Sequence, residues 1–181
     1  MPFNVNQFRT QLVGDGARPN LFEVRLNFPS YVTNKSTAAV KSSFLARTAQ
    51  LPGSTVGMVG MYYFGREVKF AGNRTFADWT VTVINDENFA LRRAFESWMQ
   101  GINENQLNLR AASAQGSGTP NSYASDANVI QYSKAGAIIK QYKFVGIFPT
   151  DVAAIDLDWG SNDTIEEFSV NFAIQYWETV L

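Results

Sequence analysis

Glycines at positions 60 and 65 have the spacing of a phosphate-binding loop, in which backbone amides cradle nucleotide phosphates. Such a loop needs a lysine to hold the phosphates and a serine or threonine to bind magnesium. Arg66 and Glu67 stand at those two positions here. The Glu67 carboxylate would repel phosphate, and no strand–loop–helix pattern surrounds the segment. We therefore interpret the stretch as a loop jointed by glycines.

Three aspartates close in the chain could offer oxygen ligands to a cation such as calcium. Asp156, Asp158 and Asp163 resemble the beginning of a calcium-binding loop. However, Gly160 stands where a further oxygen-bearing side chain is required, and Ser161 stands where the loop needs glycine. The pattern favours acids that form turns over a cation site.

Catalytic chemistry has few candidate residues in this chain. It contains no cysteine and no histidine, which removes thiol nucleophiles, imidazole acid–base catalysis and ordinary zinc sites. Glu166 and Glu167 are adjacent in a predicted strand, so their side chains point to opposite faces and cannot act as a catalytic pair. We predict that the protein is not an enzyme and has no catalytic residue, cofactor or metal.

Composition bounds the remaining function classes. The chain has 181 residues, 45% of them hydrophobic, which suits one domain with a proper core. Its net charge of -1 gives no bulk attraction to nucleic acids or acidic membranes. We expect neither a signal peptide nor membrane insertion, because no segment has the required apolar run. Aromatic residues make up 14%, which indicates either a dense β core or a large subunit interface.

Alternation of apolar and polar residues predicts a mostly β domain spanning 1–181. An amphipathic helix is predicted over 87–101, because Leu91, Phe95 and Trp98 share one stripe, and Asn85 or Asp86 could cap it. We interpret 53–66 as an irregular arm, with a strand resuming at 68–70 and a turn at 71–73. Strands are expected at 22–28, 44–51, 77–83, 128–133, 138–148 and 165–178; 1–15 is expected to be flexible, and 30–43 and 103–127 to be long loops.

Several blocks, in the same order, resemble the tail tube proteins of T4-like bacteriophages. The most specific is Ala71–Glu87, which matches the strand-into-helix block of that family nearly throughout. Gly16–Val24 is similar to the family's opening strand, and Ala49–Gly53 to its apolar turn. The blocks Gly146–Val152 and Leu157–Asp163 follow, and Phe168–Val170 and Tyr176–Glu178 close the chain, so that the resemblance extends over about residues 16–178.

The resemblance implies a fold of two packed antiparallel sheets, in a sandwich- or barrel-like arrangement, with one flanking helix. It implies a virion structural protein, assembled in the host cytoplasm, whose hexameric rings stack into the inner tube of a contractile tail. This tube is the channel for genome delivery. The implied partners are further copies of the chain, the tail sheath, baseplate and terminator proteins, and, in the lumen, the tape measure protein and passing DNA. The inner tube of a non-viral contractile injection system is the alternative.

Three sets of residues are candidates for assembly roles. A lumen that lets DNA slide should be neutral or acidic, which the polar strand faces satisfy, although those faces could equally meet solvent outside the tube. The candidate lumen-facing residues are Asp78, Thr80, Thr82, Glu167, Ser169, Asn171 and Gln175. The candidate sheath-facing residues on the helix are Arg92, Arg93 and Glu96. The candidate ring-stacking residues in the arm are Met58, Met61, Tyr62, Tyr63 and Phe64.

Overall fold

A computed structural model describes residues 4–106, 108–110 and 122–181. These ranges contain three α-helices, one 3-10 helix (Val13–Asp15) and nine strands. The helices are α1 (Val5–Gln11), α2 (Lys35–Leu45) and α3 (Ala90–Ile102). The strands are β1 (Phe22–Leu26), β2 (Ala46–Ala49), β3 (Ser54–Tyr63), β4 (Arg66–Phe76), β5 (Trp79–Ile84), β6 (Ser125–Tyr132), β7 (Ile138–Val152), β8 (Glu167–Ala173) and β9 (Tyr176–Thr179).

Seven of the strands form two antiparallel half-sheets that share one long strand, β7. The first part of β7 pairs with β6 and β9, and β1 pairs with β6. The last part, Phe148–Val152, pairs with β8, which pairs with β5, which pairs with β2. We call the group β1–β6–β7–β9 half-sheet I and the group β7–β8–β5–β2 half-sheet II. The remaining two strands, β3 and β4, form a separate hairpin.

Aromatic side chains fill the space between the half-sheets and the flanking helix. Trp79 of half-sheet II stacks on Phe144 of half-sheet I, with ring centroids 4.3 Å apart. Phe95 and Trp98 of α3 contact Phe172 of β8 at 5.9 and 6.2 Å between centroids. All five side chains are buried. The predicted fold of two packed antiparallel sheets with a flanking helix is confirmed, and the predicted core face of β5 lies inside.

The helix α3 begins at Ala90 and not at the predicted residue 87, because the chain from Asp86 to Phe89 forms a turn. The predicted cap Asp86 still binds the first helical amide. The Asp86 carboxylate accepts a hydrogen bond from the Ala90 backbone N–H at 3.0 Å and forms an ion pair with Lys41 of α2. The Lys41 ammonium holds the pKa of the Asp86 carboxyl below its usual range. This carboxylate therefore joins the two helices and satisfies an otherwise unpaired amide.

The segment 30–43 is not the predicted long loop, because α2 begins at Lys35. Ala38 and Ser42, four residues apart, form its buried side. The Ser42 hydroxyl accepts a hydrogen bond from the Leu26 backbone N–H at 3.1 Å. A helix that buries only small side chains has a weak apolar stripe, which is why the pattern did not indicate it.

The segment 53–66 is not the predicted irregular arm but belongs to the hairpin of β3 and β4. Residues 68–73, predicted as a short strand and a turn, lie inside β4. The glycines inside these strands do not mark joints. Each lies where a side chain would collide with the neighbouring strand. Gly60 lies beneath the Glu67 side chain, and a Cβ on Gly72 would lie 3.0 Å from the Gly57 carbonyl carbon.

Two terminal predictions also changed. The N-terminal segment contains α1, whose first amides are capped by the Asn4 side chain at 3.0 Å from the Asn6 nitrogen. None of its residues is buried, and its flexibility stays a prediction. The last predicted strand is divided into β8 and β9 by a bend at Gln175.

In the loop expected at 103–127, residues 107 and 111–121 lie outside the described ranges, and β6 begins at Ser125.

Gly146 allows β7 to pass from one half-sheet to the other. Its φ is +67°, and a Cβ there would lie 2.6 Å from the Gln175 Cγ. Gly136, in the turn between β6 and β7, has a φ of +81° but no atom within 4 Å of a Cβ. Both glycines therefore have a positive φ that disfavours other residues, but only at Gly146 would a Cβ also collide with a neighbouring side chain.

We expect Gly146→Ala to destabilise the fold more than Gly136→Ala. The strain of alanine at positive φ costs about 1 kcal/mol at either site, and the clash with Gln175 adds about 1–3 kcal/mol at Gly146. Urea unfolding followed by circular dichroism measures both free energies. Equal losses at the two positions would show that the Gln175 contact is not limiting.

Candidate assembly surfaces

A largely polar surface covers one face of half-sheet II, and Ile84, opposite Glu167, is the apolar residue of β5 on it. Thr80 lies opposite Asn171 and Thr82 opposite Ser169 in the register of β5 and β8. The Thr80 hydroxyl donates a hydrogen bond to the Asn171 Oδ1 at 2.7 Å. Thr48 extends the row onto β2, because it lies opposite Thr82. We call this surface the polar face.

The charges on the polar face are acidic or paired. Glu167 forms an ion pair with Arg47, the one basic residue among β2, β5, β8 and the Phe148–Val152 part of β7. Asp151 lies opposite Asn171 and is exposed. The face therefore offers no excess of positive charge to a polyanion.

Five of the seven residues predicted to line a lumen lie on the polar face, and two do not. Asp78 precedes β5 and is exposed. Gln175 lies at the bend after β8, where its backbone N–H donates to the Val145 carbonyl at 3.2 Å. It leaves the row because the chain crosses from β8 toward half-sheet I at this bend, which strict alternation through 165–178 did not anticipate.

The polar face and α3 lie on opposite sides of half-sheet II. The alternate residues of β5 and β8 are buried and face the helix: Trp79, Val81, Val83, Phe168, Val170 and Phe172. Phe95 of α3 contacts Phe168 and Phe172 edge-on. If the polar face lines a channel, α3 consequently lies on the outer side of that wall.

The three candidate residues on α3 differ in what they contact. The Arg92 Nε donates to Glu96 Oε1 at 2.8 Å, and its NH1 donates to the Ala153 carbonyl at 2.6 Å. Its guanidinium also lies 5.2 Å from the Phe168 ring centroid. Arg93 is exposed. Arg92 thus stabilises the fold, and Arg93 is the arginine presented to solvent.

An open cleft of about 440 Å³ adjoins these arginines. It lies between α3 and the chain that connects β7 to β8. Both charged and apolar side chains line it: Phe89, Arg92, Arg93, Glu96, Ile155, Leu157 and Glu166. Its surface could accept a side chain that is partly apolar and partly charged.

The β3–β4 hairpin has one apolar face and one mixed face. Direct cross-strand partners share a face, and Met61 lies opposite Val68 whereas Gly60 lies opposite Lys69. The apolar face carries Val59, Met61, Tyr63, Val68 and Phe70, each between 43% and 71% exposed, and Arg66 lies opposite Tyr63 at its distal end. The mixed face carries Met58, Gly60, Tyr62, Glu67, Lys69 and Ala71. The five candidate stacking residues are thus split between two faces and the tip, where Phe64 lies.

Trp177 of β9 anchors the base of the hairpin. Its indole Nε1 donates a hydrogen bond to the Gly53 carbonyl at 3.1 Å. The Arg74 guanidinium lies 5.1 Å from its ring centroid, and Phe76 packs edge-on at 6.3 Å. The sequence gives Trp177 a place in the family resemblance but predicts no contact for it, because its partners are about a hundred residues away in the chain.

The segments considered for catalysis or ion binding occupy turns and strands. Residues 60–67 form the distal part of the hairpin. The Asp158 carboxylate accepts a hydrogen bond from the Gly160 backbone N–H at 3.0 Å, which is a turn-forming contact. Within the described ranges, no cluster of three or more acidic, histidine or cysteine side chains could hold a metal ion. Nor do those ranges contain a helix long and apolar enough to cross a membrane.

Comparisons with known proteins identify the family of this chain. A family model for the phage tail tube protein matches residues 17–180. The chain is 38% identical over 166 residues to the tail tube protein gp19 of Enterobacteria phage T4, covering 91% of this chain and 93% of gp19. It is 25% identical over 178 residues to the tail tube protein of Serratia phage KSP90, covering 97% and 96%.

Two solved structures share the fold at low sequence identity. One is a chain of the anti-feeding prophage baseplate, with a TM-score of 0.63, 12% identity, and coverage of 91% of this chain and 95% of that one. Another is a chain of the sheath–tube complex of the extracellular contractile injection system PVC, with a TM-score of 0.60, 15% identity, and coverage of 94% and 95%. The family model and the relative from phage T4 each match most of this chain. The chain therefore belongs to the phage tail tube protein family.

Proposed function

We propose that this protein is a virion structural protein whose copies form hexameric rings that stack into the inner tube of a contractile phage tail. The tube is the channel through which the genome is delivered. The observation that supports this most strongly is the polar face, which crosses all four strands of half-sheet II and carries no unpaired base. The role is structural, without catalysis, cofactor or membrane insertion.

The edges of half-sheet II support closure into a ring. The strand β2 pairs only with β5, and the last part of β7 pairs only with β8, among the described residues. Unpaired edges attract further strands. If the edge of β2 meets the end of β7 in the next copy, six copies give a closed cylinder with the polar face inside. Head-to-tail contacts of this kind close when the rotation between copies completes a circle.

The hairpin supports stacking of the rings. Its strands span roughly 30 Å at about 3.3 Å per residue, and every residue of β3 is exposed. An apolar face of this extent is unfavourable in water. Burying it against copies in the neighbouring ring removes that cost.

The proposed partners follow from the same geometry. The sheath lies against α3, and baseplate and terminator proteins lie at the tube ends. The tape measure protein and DNA occupy the lumen without specific contacts. We place the protein in the virion tail, assembled in the host cytoplasm. A phage tube is favoured over a non-viral injection tube because identity is 38% to gp19 of phage T4 and 12–15% to the injection-system chains.

Arg93→Glu should weaken sheath binding with little change in tube formation. The Arg93 side chain is exposed on the proposed outer wall, and reversing an interface charge typically lowers association strongly. Co-sedimentation of tubes with sheath protein measures the effect. Arg92→Ala is the comparison: it should lower the free energy of unfolding by about 1–2 kcal/mol, because Arg92 bonds within the chain. Unchanged sheath binding by the Arg93→Glu variant would show that Arg93 does not contact the sheath protein.

Electron microscopy of the purified chain tests the proposal as a whole. We expect six-fold rings and tubes at high protein concentration. Class averages should place α3 at the outer surface and half-sheet II at the lumen. A chain that remains monomeric at every concentration, or rings with α3 lining the channel, would overturn it.

A further inference from the structure

We propose that the hairpin tip of one copy seats on an acidic loop at the opposite end of a second copy in the next ring. The hairpin tip is Tyr63–Arg66, and the acidic loop is the segment 153–166 between β7 and β8. The inference rests on the proposed function, because it names the partner surface of the stacking hairpin. It commits to a second copy of this chain as the occupant.

The register of half-sheet II places the base of the hairpin and the acidic loop at opposite ends. Trp79, at the beginning of β5, lies opposite Phe172, and Ile84, at its end, lies opposite Glu167. The hairpin joins β5 at the Trp79 end. The acidic loop joins β8 at the Glu167 end. Two copies stacked head to tail along the strand direction therefore bring a hairpin toward an acidic loop.

The charges of the two surfaces are complementary. Arg66 is the charged residue of the tip, whereas Lys69 lies 4.0 Å from Glu67 within the hairpin and Arg74 lies at the base beside Trp177. The acidic loop contains four acidic residues and no basic one: Asp156, Asp158, Asp163 and Glu166. Opposite potentials of this kind orient two copies and fix their register.

The acidic loop also presents apolar side chains on a held backbone. Trp159 is fully exposed, and Leu157 and Ile165 are 79% and 71% exposed. The Asp158 carboxylate fixes the turn beneath Trp159 through the Gly160 N–H. At the two ends of the loop, Ala153 accepts from Arg92 at 2.6 Å, and the Asn85 side chain donates to Glu166 Oε2 at 2.8 Å. A preorganised, exposed tryptophan is typical of a binding hot spot.

The hairpin tip has an unfavourable residue for its turn. Phe64 has a φ of +45° and is followed by Gly65 at +81°. Two-residue turns of this kind favour asparagine before glycine, and an aromatic residue at positive φ is strained. Phe64 is nevertheless 92% exposed and packs edge-on against Tyr63 at 4.5 Å. The strain is consistent with an aromatic side chain retained for an intermolecular contact.

Charge exchange between the two surfaces tests the contact. Arg66→Glu and Asp156→Arg should each raise the critical concentration for tube formation about tenfold. Combined in one chain, they should restore it to within about threefold, because each site then meets an opposite charge again. A double variant as defective as the sum of the two single variants would overturn the proposal. Rings that persist in every variant distinguish this failure from failure of ring assembly.

Cross-linking provides a second test, because the chain contains no cysteine. Tyr62→Cys lies beside the tip, and Ser161→Cys lies beside Trp159. These two changes leave Phe64 and Trp159, the aromatic residues of the proposed contact, in place. A short bis-maleimide reagent should convert tubes of the double variant into a ladder of covalent oligomers. Tyr62→Cys with Gly136→Cys is the control pair and should give no ladder. Well-formed tubes without a ladder, or equal ladders from both pairs, would refute the contact, whereas absence of tubes from the unmodified chain would refute the proposed function.

Discussion

Met61→Asp should abolish tube formation while leaving a folded protein. Met61 lies at the centre of the apolar face of the hairpin, opposite Val68, and is 61% exposed. A carboxylate there costs about 1–3 kcal/mol at each buried contact. The contact repeats in every copy of a ring, so six such losses would shift the stacking equilibrium by many orders of magnitude. Sedimentation velocity and electron microscopy should show rings without tubes.

The hairpin contains its own matched control for this prediction. Met58 has the same side chain and the same 61% exposure, but it lies on the mixed face. Met58→Asp introduces the same charge and the same poor strand propensity. We expect it to form tubes at a critical concentration within about tenfold of the unchanged chain. Equal defects in the two variants would show that both faces, or neither, contact a neighbouring copy.

Thr82→Lys should slow DNA passage through assembled tails. Thr82 lies on the polar face between Thr48 and Ser169. In a hexameric ring this change adds six ammonium groups per ring to the channel wall. Because each phosphate contact releases counterions, retention should be strongest at low salt. We expect genome ejection from reconstituted phage to slow by about tenfold or more at 50 mM salt and to recover at high salt.

Two further variants separate charge from size and from position. Thr82→Gln adds length without charge and should eject DNA at the unchanged rate. Gln100→Lys adds the same charge on the exposed side of α3 and should also leave ejection unchanged. Salt-independent slowing by Thr82→Lys, or equal slowing by Gln100→Lys, would contradict a lumenal position for the polar face.

The elements that the sequence predicted well are those whose partners lie inside the domain. The strand β5 alternates clearly because one face is buried beneath α3 and the other carries threonines. The helix α3 is clear because Leu91, Phe95 and Trp98 make a wide apolar stripe. From the same alternation, five of the seven residues predicted to line a lumen lie on one face, and their lumenal position stays a prediction.

The elements that were missed lack a one-sided pattern within one copy. In the hairpin, β3 is Gly-rich and mostly apolar on both of its faces, so no alternation stands out along it and its glycines suggested joints. The helix α2 buries only Ala38 and Ser42. The role of Trp177 depends on Gly53, Arg74 and Phe76 reaching β9, which local periodicity cannot indicate. Contacts between distant parts of the chain decided these features.

The anchorage at Trp177 makes the hairpin a lever. Its pivot is the hydrogen bond to Gly53 together with the Arg74 guanidinium over the indole ring and the Phe76 ring packed edge-on. A rotation of a few degrees at the pivot is magnified along an arm of roughly 30 Å. If the tip contacts the next ring, the pivot angle sets the rotation between successive rings. The helical pitch of the whole tube would then be determined by the packing around one tryptophan.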